Sequence, residues 1–134
     1  MGLSAGCAPS VPEQGEWTDQ AQQSLADAVS EVATVTLVLQ LQQSGDLAQN
    51  YQQVVVLDSE ETVGLTAQKF GGLQPPAGEN REYVQVTGAL SDASDLLAQV
   101  RIAVVREDTG EYPKLLRKLA KARHDLLSVK GRLS

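Results

Sequence analysis

Three segments of the chain repeat apolar residues at alternating spacings of three and four, which is typical of amphipathic α-helices. The first covers about residues 18–43, with Thr18 as the expected N-cap, and the most regular covers about residues 80–107. The last begins near Pro113, which fits the first turn of a helix because its missing N–H has no partner there. The apolar stripes are Ala21, Leu25, Ala28, Val32, Val35 and Leu39; Tyr83, Val86, Leu90, Ala93, Leu97, Val100 and Val104; and Tyr112, Leu115, Leu119, Ala122, Leu126, Val129 and Leu133.

The segment between residues 47 and 70 carries two short apolar stripes that are out of phase by two residues. The β-branched run 54–57 spans both stripes, and Asp58 with Glu61 three residues later resembles a capping box that starts a helix. We therefore expect a helix with a kink or break near residues 57–59. The first stripe consists of Leu47, Tyr51 and Val54, and the second of Val63, Ala67 and Phe70.

Short turns separate these segments. Residues 44–46 and 108–110 are expected to form tight turns, and the Gly- and Pro-rich stretch 71–78 a longer loop. Four amphipathic segments joined in this way predict an all-α fold, an antiparallel up-down-up-down four-helix bundle that occupies residues 17–134 as a single domain. A three-helix core, with the second helix broken into pieces, is the alternative. Residues 1–16 show no periodicity and are expected to form a flexible leader.

The composition limits how such a bundle is built. Apolar residues make up 42% and charged residues 21%, which is typical of a globular protein. Only 4% are aromatic, so aliphatic side chains must fill the core, and the single cysteine excludes an intrachain disulfide. No run reaches about 18 uninterrupted apolar residues, so we expect no transmembrane helix.

Charge is distributed unevenly along the chain. Residues 1–68 contain no Lys or Arg but nine Asp and Glu, whereas residues 113–134 contain seven Lys and Arg against Asp125 alone. The basic segment is either a surface for anionic lipid or nucleic acid, or a helix that lies beside acidic helices of its own fold. The sequence pI of about 4.7 argues against nucleic acid.

Few residues offer catalytic or ligand chemistry. His124 has no second histidine, cysteine or carboxylate at ligand spacing, so we expect no metal site and no cofactor. Paired carboxylates at 60–61, 92/95 and 107–108 are expected to be solvated, and nucleophile and phosphate-loop motifs are missing from the sequence. We therefore predict a protein that is not an enzyme, with no catalytic residues.

The N-terminal residues Leu3-Ser4-Ala5-Gly6-Cys7, followed by Ala8-Pro9-Ser10, form a run of small residues that ends in cysteine. This run resembles the lipobox of bacterial lipoproteins, and the resemblance covers five residues. In that family the cysteine thiol receives diacylglycerol and the preceding leader is removed. The resemblance implies that Cys7 is a lipidation site and that the protein is extracytoplasmic and anchored to the bacterial cell membrane.

These observations predict a lipid-anchored helical bundle that acts as a non-catalytic binding or structural module of the cell envelope. Its basic last helix is a candidate surface for a protein partner or an anionic surface. One alternative is a bundle-type sensory or ligand-binding domain with a pocket between helices. The other is a cytoplasmic helical adaptor in which Cys7 is unmodified.

The apolar stretch 35–41, which faces residues 54–57 across the 44–46 turn, is the most unusual local feature. It is more apolar than one helix stripe requires. It predicts either a thicker core at this end of the bundle or an exposed docking surface or small apolar pocket.

Overall fold

The computed structural model describes residues 14–133 and shows an all-α protein. Four helices pack with antiparallel contacts, as the stripes predict. A single turn of 3₁₀-helix, Thr109–Glu111, lies immediately before the last helix. The helices are α1 (Gln14–Gln43), α2 (Gln49–Gly71), α3 (Asn80–Val105) and α4 (Tyr112–Arg132).

The four helices are arranged as the corners of a square. α1 packs against α2 and α4, and α3 packs against the same two helices, while α1 and α3 also meet across the centre. The Gln22 side chain of α1 donates a hydrogen bond to the Leu133 carbonyl (3.3 Å), which places the start of α1 beside the end of α4. α2 and α4 are therefore diagonally opposite, and their outer faces point away from each other.

The predicted stripes of α1, α3 and α4 form the core. All six stripe residues of α1 are completely buried, as are all of those of α3 except Tyr83, which is half-buried. The α4 stripe is buried except for the half-buried Ala122. Burial of these aliphatic side chains is the main force that holds the bundle together.

Aromatic side chains close one end of the aliphatic core. Trp17 packs against Phe70 with ring centroids 5.5 Å apart, and Phe70 packs against Tyr83 at 6.2 Å. The Tyr83 hydroxyl donates a hydrogen bond to the Gly71 carbonyl (2.6 Å). This bond fastens the end of α2 to the start of α3 across the Gly- and Pro-rich loop.

α2 is one continuous helix, so the break predicted near residues 57–59 is wrong, and so is the alternative of a three-helix core. Asp58 and Glu61 do not cap a new helix but lie in its middle. The buried face of α2 consists of Gln52, Val56, Ser59, Val63 and Phe70.

The first predicted stripe of α2 faces the solvent instead. Tyr51 is 57% exposed and Val54 65% exposed, and only Leu47 is partly buried against the core. The second predicted stripe, which contains Val63 and Phe70, is correctly placed. The inward face of α2 runs on from it without a change of phase because Ser59 and Gln52 occupy core positions.

The helix ends differ from the predictions in two places. Thr18 is not an N-cap but a buried residue inside α1, because residues 14–16, assigned above to the leader, are already helical. α3 ends at Val105, two residues early, where Glu107 adopts a left-handed backbone (φ 54°). This conformation lets the Asp108 N–H reach the Ala103 carbonyl (2.9 Å) and terminate the helix.

Leu97→Asp should unfold the bundle, because Leu97 is completely buried in the middle of α3 and the charge would have no partner. We expect a loss of at least about 3 kcal/mol in the free energy of unfolding. Val84→Asp, at a position of α3 that is 65% exposed, is the control and should cost less than about 1 kcal/mol. Urea unfolding measures both; equal stabilities would show that the α3 stripe is misplaced.

Candidate functional site

The single predicted site residue, Cys7, lies outside the described residues. The structure places His124 on the exposed side of α4. Glu60 is half-buried and pairs with Arg101 of α3 (2.5 Å), while the other carboxylates of the three predicted pairs are exposed. Within residues 14–133 the structure brings together no group of three or more His, Cys, Asp and Glu side chains that could hold a metal ion.

The basic face of α4 is open to solvent. Three of its cations have partners close by: Lys121 pairs with Asp125 of the same helix (2.7 Å), Lys118 donates a hydrogen bond to Gln99 of α3 (3.2 Å), and Arg132 donates one to Ser128 of α4 (3.0 Å). Among the described residues, no ion pair connects α4 with the acidic helices α1 and α2. The basic residues of this face are Lys114, Arg117, Lys118, Lys121, Arg123, Lys130 and Arg132.

A groove follows the contact between α3 and α4. It contains two solvent-open depressions of about 200 Å³ each, which meet at Gln99 and Lys118. Small side chains, including Ala89 and Ala122, create the space, and charged side chains of both signs line its rim. This mixed lining gives the groove no clear preference for an anionic, cationic or apolar ligand.

The outward face of α2 combines apolar and acidic side chains. Five of its residues recur at spacings of three and four along the outside of the helix: Tyr51, Val54, Asp58, Glu61 and Leu65. Leu57 lies beside them. Val54, Tyr51, Leu57 and Leu65 are between 51% and 65% exposed, and both acidic residues are exposed. We call this set the outer strip: Tyr51, Val54, Leu57, Asp58, Glu61 and Leu65.

The apolar stretch 35–41 is divided between core and surface. Val35, Val38 and Leu39 are buried, which confirms a thick core at this end of the bundle. Leu37 is 55% exposed, and the segment 54–57 contributes only Val56 to the core. The stretch therefore belongs partly to the core and partly to the surface, and the docking surface or apolar pocket stays a prediction.

One polar contact crosses the core between the diagonal helices. Gln52 is completely buried, and its amide nitrogen lies 3.4 Å from the Tyr112 hydroxyl, to which it donates a hydrogen bond. The Gln52 amide oxygen is buried without a hydrogen-bond partner. Burial raises the pKa of Tyr112, which the Gln52 hydrogen bond partly offsets, so the phenol is held in its neutral form.

α1 has an unusually apolar composition for a helix of a bundle. Residues Gly15–Gln43 are long and apolar enough to cross a membrane by length and composition alone, with a mean hydropathy of 1.3 in the best window. In the fold, the six stripe residues of α1 are all buried against other helices. A core helix of a helical bundle meets the same criteria of length and composition as a helix that crosses a membrane.

The fold and these surfaces define a small antiparallel four-helix bundle with an acidic, partly apolar face on α2 and a basic face on α4. Comparisons with protein-family models, with curated proteins and with solved structures find no match to this chain. The function must therefore be argued from the chemistry of the surfaces themselves.

Tyr112→Phe should destabilise the protein by about 1–3 kcal/mol, because it leaves the whole buried Gln52 amide without a partner. Adding Gln52→Leu should recover most of this loss, since replacing both polar partners by apolar groups removes the unsatisfied atoms. The measurement is the free energy of unfolding of Tyr112→Phe, of Gln52→Leu and of the double variant.

The control is Tyr51→Phe, which removes a hydroxyl from a side chain that is 57% exposed. It should change stability by less than about 0.5 kcal/mol. A double variant that is less stable than Tyr112→Phe alone would contradict the assignment of Tyr112 as the hydrogen-bond partner on which the buried Gln52 amide depends.

Proposed function

We propose that the protein is a lipid-anchored, extracytoplasmic helical bundle that serves as a non-catalytic binding or structural module of the cell envelope. The observation that carries the proposal is the lipobox-like run that ends at Cys7, seven positions before the first described helical residue. A modified cysteine needs accessible surroundings and a tether to the folded domain, and residues 8–13 supply the length of such a tether.

The basic face of α4 supports a location beside an anionic surface. Six of its seven cations are exposed and Lys130 is half-buried. Lys118, Lys121 and Arg132 use partners on α3 or α4 instead of the acidic side chains of α1 and α2. A juxtamembrane Lys or Arg contributes about 1 kcal/mol to binding of an anionic membrane. Several such residues on one helix would add to the two acyl chains of the diacylglycerol at Cys7.

The first prediction is that Cys7 is acylated when the gene is expressed with its native upstream region. Intact-mass measurement of the protein from the membrane fraction should show a chain that begins at Cys7 and carries diacylglycerol. The matched control, Cys7→Ser, should carry no diacylglycerol in the same mass measurement. A wild-type chain that retains residues 1–6 and an unmodified Cys7 would reject lipidation and favour the cytoplasmic adaptor.

The second prediction concerns the α4 face in the absence of the lipid. In a Cys7→Ser background, the protein should bind phosphatidylglycerol vesicles weakly, and high salt should weaken this binding. Replacing Arg117, Lys118 and Lys121 together by Gln should abolish it. Because no ion pair joins α4 to α1 or α2 among the described residues, thermal stability should stay within about 1 kcal/mol of the parent.

The control triple variant replaces the exposed cations Lys69, Arg81 and Arg106 by Gln, which changes the net charge equally but leaves α4 intact. It should retain vesicle binding. A loss of stability in the α4 variant, without vesicle binding by the parent, would assign the basic residues to the fold. No effect on either property would eliminate both roles.

A further inference from the structure

The outer strip of α2 has the sequence pattern of a helix-packing seam, although no helix of the bundle covers it. Tyr51, Val54, Asp58, Glu61 and Leu65 follow one another at spacings of 3, 4, 3 and 4. This is the same spacing that buries the stripes of α1, α3 and α4 inside the bundle. On α2 it occurs a second time, on the side of the helix opposite to the core.

An exposed apolar side chain on α3 extends this seam sideways. The Glu60–Arg101 ion pair fixes the register between α2 and α3. Leu57 lies one turn before Glu60 and Val105 one turn after Arg101, so the antiparallel helices bring both toward the same end. Val105 is 56% exposed and Ile102 42% exposed. Val105 and Leu57 give the outer strip an apolar flank, whereas Ile102 lines the groove between α3 and α4.

The charge of the outer strip indicates what covers it. Its middle carries the exposed carboxylates Asp58 and Glu61, and residues 14–68 of the described chain contain no Lys or Arg at all. On the α3 side, Arg101 is already paired with Glu60, and exposed Arg106 lies beyond Val105. A partner must therefore bring an apolar face together with positive charge.

We propose that the outer strip binds a basic amphipathic helix of another protein. Such a helix would place apolar residues against Tyr51, Val54 and Leu65 and Lys or Arg side chains against the two carboxylates. The strip spans about 21 Å along α2, which matches a partner helix of about 15 residues. A contact of this length lies at the low end of interface sizes, where weak, reversible complexes are found.

The chemistry of the outer strip disfavours two other occupants, a second copy of this chain and an anionic membrane. A second copy that packed its own outer strip against the first would set Asp58 and Glu61 against the same carboxylates, and like charges repel in such a contact. An anionic membrane would be repelled by the same residues. The outer face of α4 in a second copy would bring positive charge to the outer strip. Among the described residues, however, its one exposed large apolar side chain is Leu127, at 39% exposure, so it would not cover the apolar part of the strip.

The test uses the 134-residue chain with Cys7→Ser and a fluorescently labelled 18-residue helical peptide of leucine and lysine with one apolar face. A scrambled peptide of the same composition, without an apolar face, is the control. Fluorescence anisotropy should show that the chain binds the amphipathic peptide at least about tenfold more tightly than the scrambled one.

Val54→Ser with Leu57→Ser should weaken binding by about tenfold or more, because it removes the centre of the apolar surface. Asp58→Asn with Glu61→Gln should also weaken binding and should reduce its dependence on salt. The matched controls are Val84→Ser with Leu127→Ser, at exposed positions outside the strip, and Asp27→Asn with Glu31→Gln, on α1. Both controls should bind like the parent chain.

Two results would overturn the proposal. One is equal binding of the two peptides, or an equal loss in strip and control variants, which would show only general attraction between opposite charges. The other is a dimer of the parent chain in sedimentation experiments that Val54→Ser with Leu57→Ser dissociates, which would assign the strip to self-association. The peptide test does not depend on Cys7, so its failure would leave the proposed lipid anchor open to its own test.

Discussion

The packing of the α1 stripe is the interaction on which the rest of the structure depends. α1 contacts all three other helices, and Leu25, Val32, Val35 and Leu39 are completely buried in that contact. Burial of one such side chain contributes about 1.5–3 kcal/mol, which is a large share of the net stability of about 5–15 kcal/mol that is typical of a domain. With few aromatic residues available, the bundle relies on close aliphatic packing along α1, and its aromatic side chains serve mainly to close the ends.

Because α1 and α3 meet at the centre, α2 and α4 are kept apart as the diagonal pair. The Gln52–Tyr112 hydrogen bond connects them through the core, while their outer faces point in opposite directions. Acidic α1 lies beside basic α4, so the topology does not separate all of the acidic residues from the basic ones. What the diagonal arrangement does is hold the acidic, partly apolar outer face of α2 on the side of the molecule opposite to the basic outer face of α4.

The sequence predicts α1, α3 and α4 correctly because, on these helices, apolar residues and buried positions coincide. It fails on α2 because exposure of an apolar side chain carries only a modest penalty and a buried amide can be tolerated when a hydrogen-bond partner is near. Val54 is exposed and Gln52 is buried, and the partner of Gln52 is sixty residues away on Tyr112, which periodicity cannot show. For the same reason the basic face of α4 could be predicted from composition, but the outer strip of α2 could be identified as a surface only once the inward face was known.

The proposed lipid anchor and the two faces together limit how the molecule would lie at a membrane. The six residues between Cys7 and Gln14 span at most about 25 Å, and α1 begins at the end of the bundle where α4 finishes. If the bundle stood upright on that end, Lys114 would lie about 24 Å farther from the surface than Lys130, well beyond the Debye length of about 8 Å at physiological salt. All of the α4 cations can act together only if α4 lies along the membrane. In that orientation the diagonal helix α2 is the most distant from the surface, and its outer strip is accessible to a partner that approaches from the aqueous side.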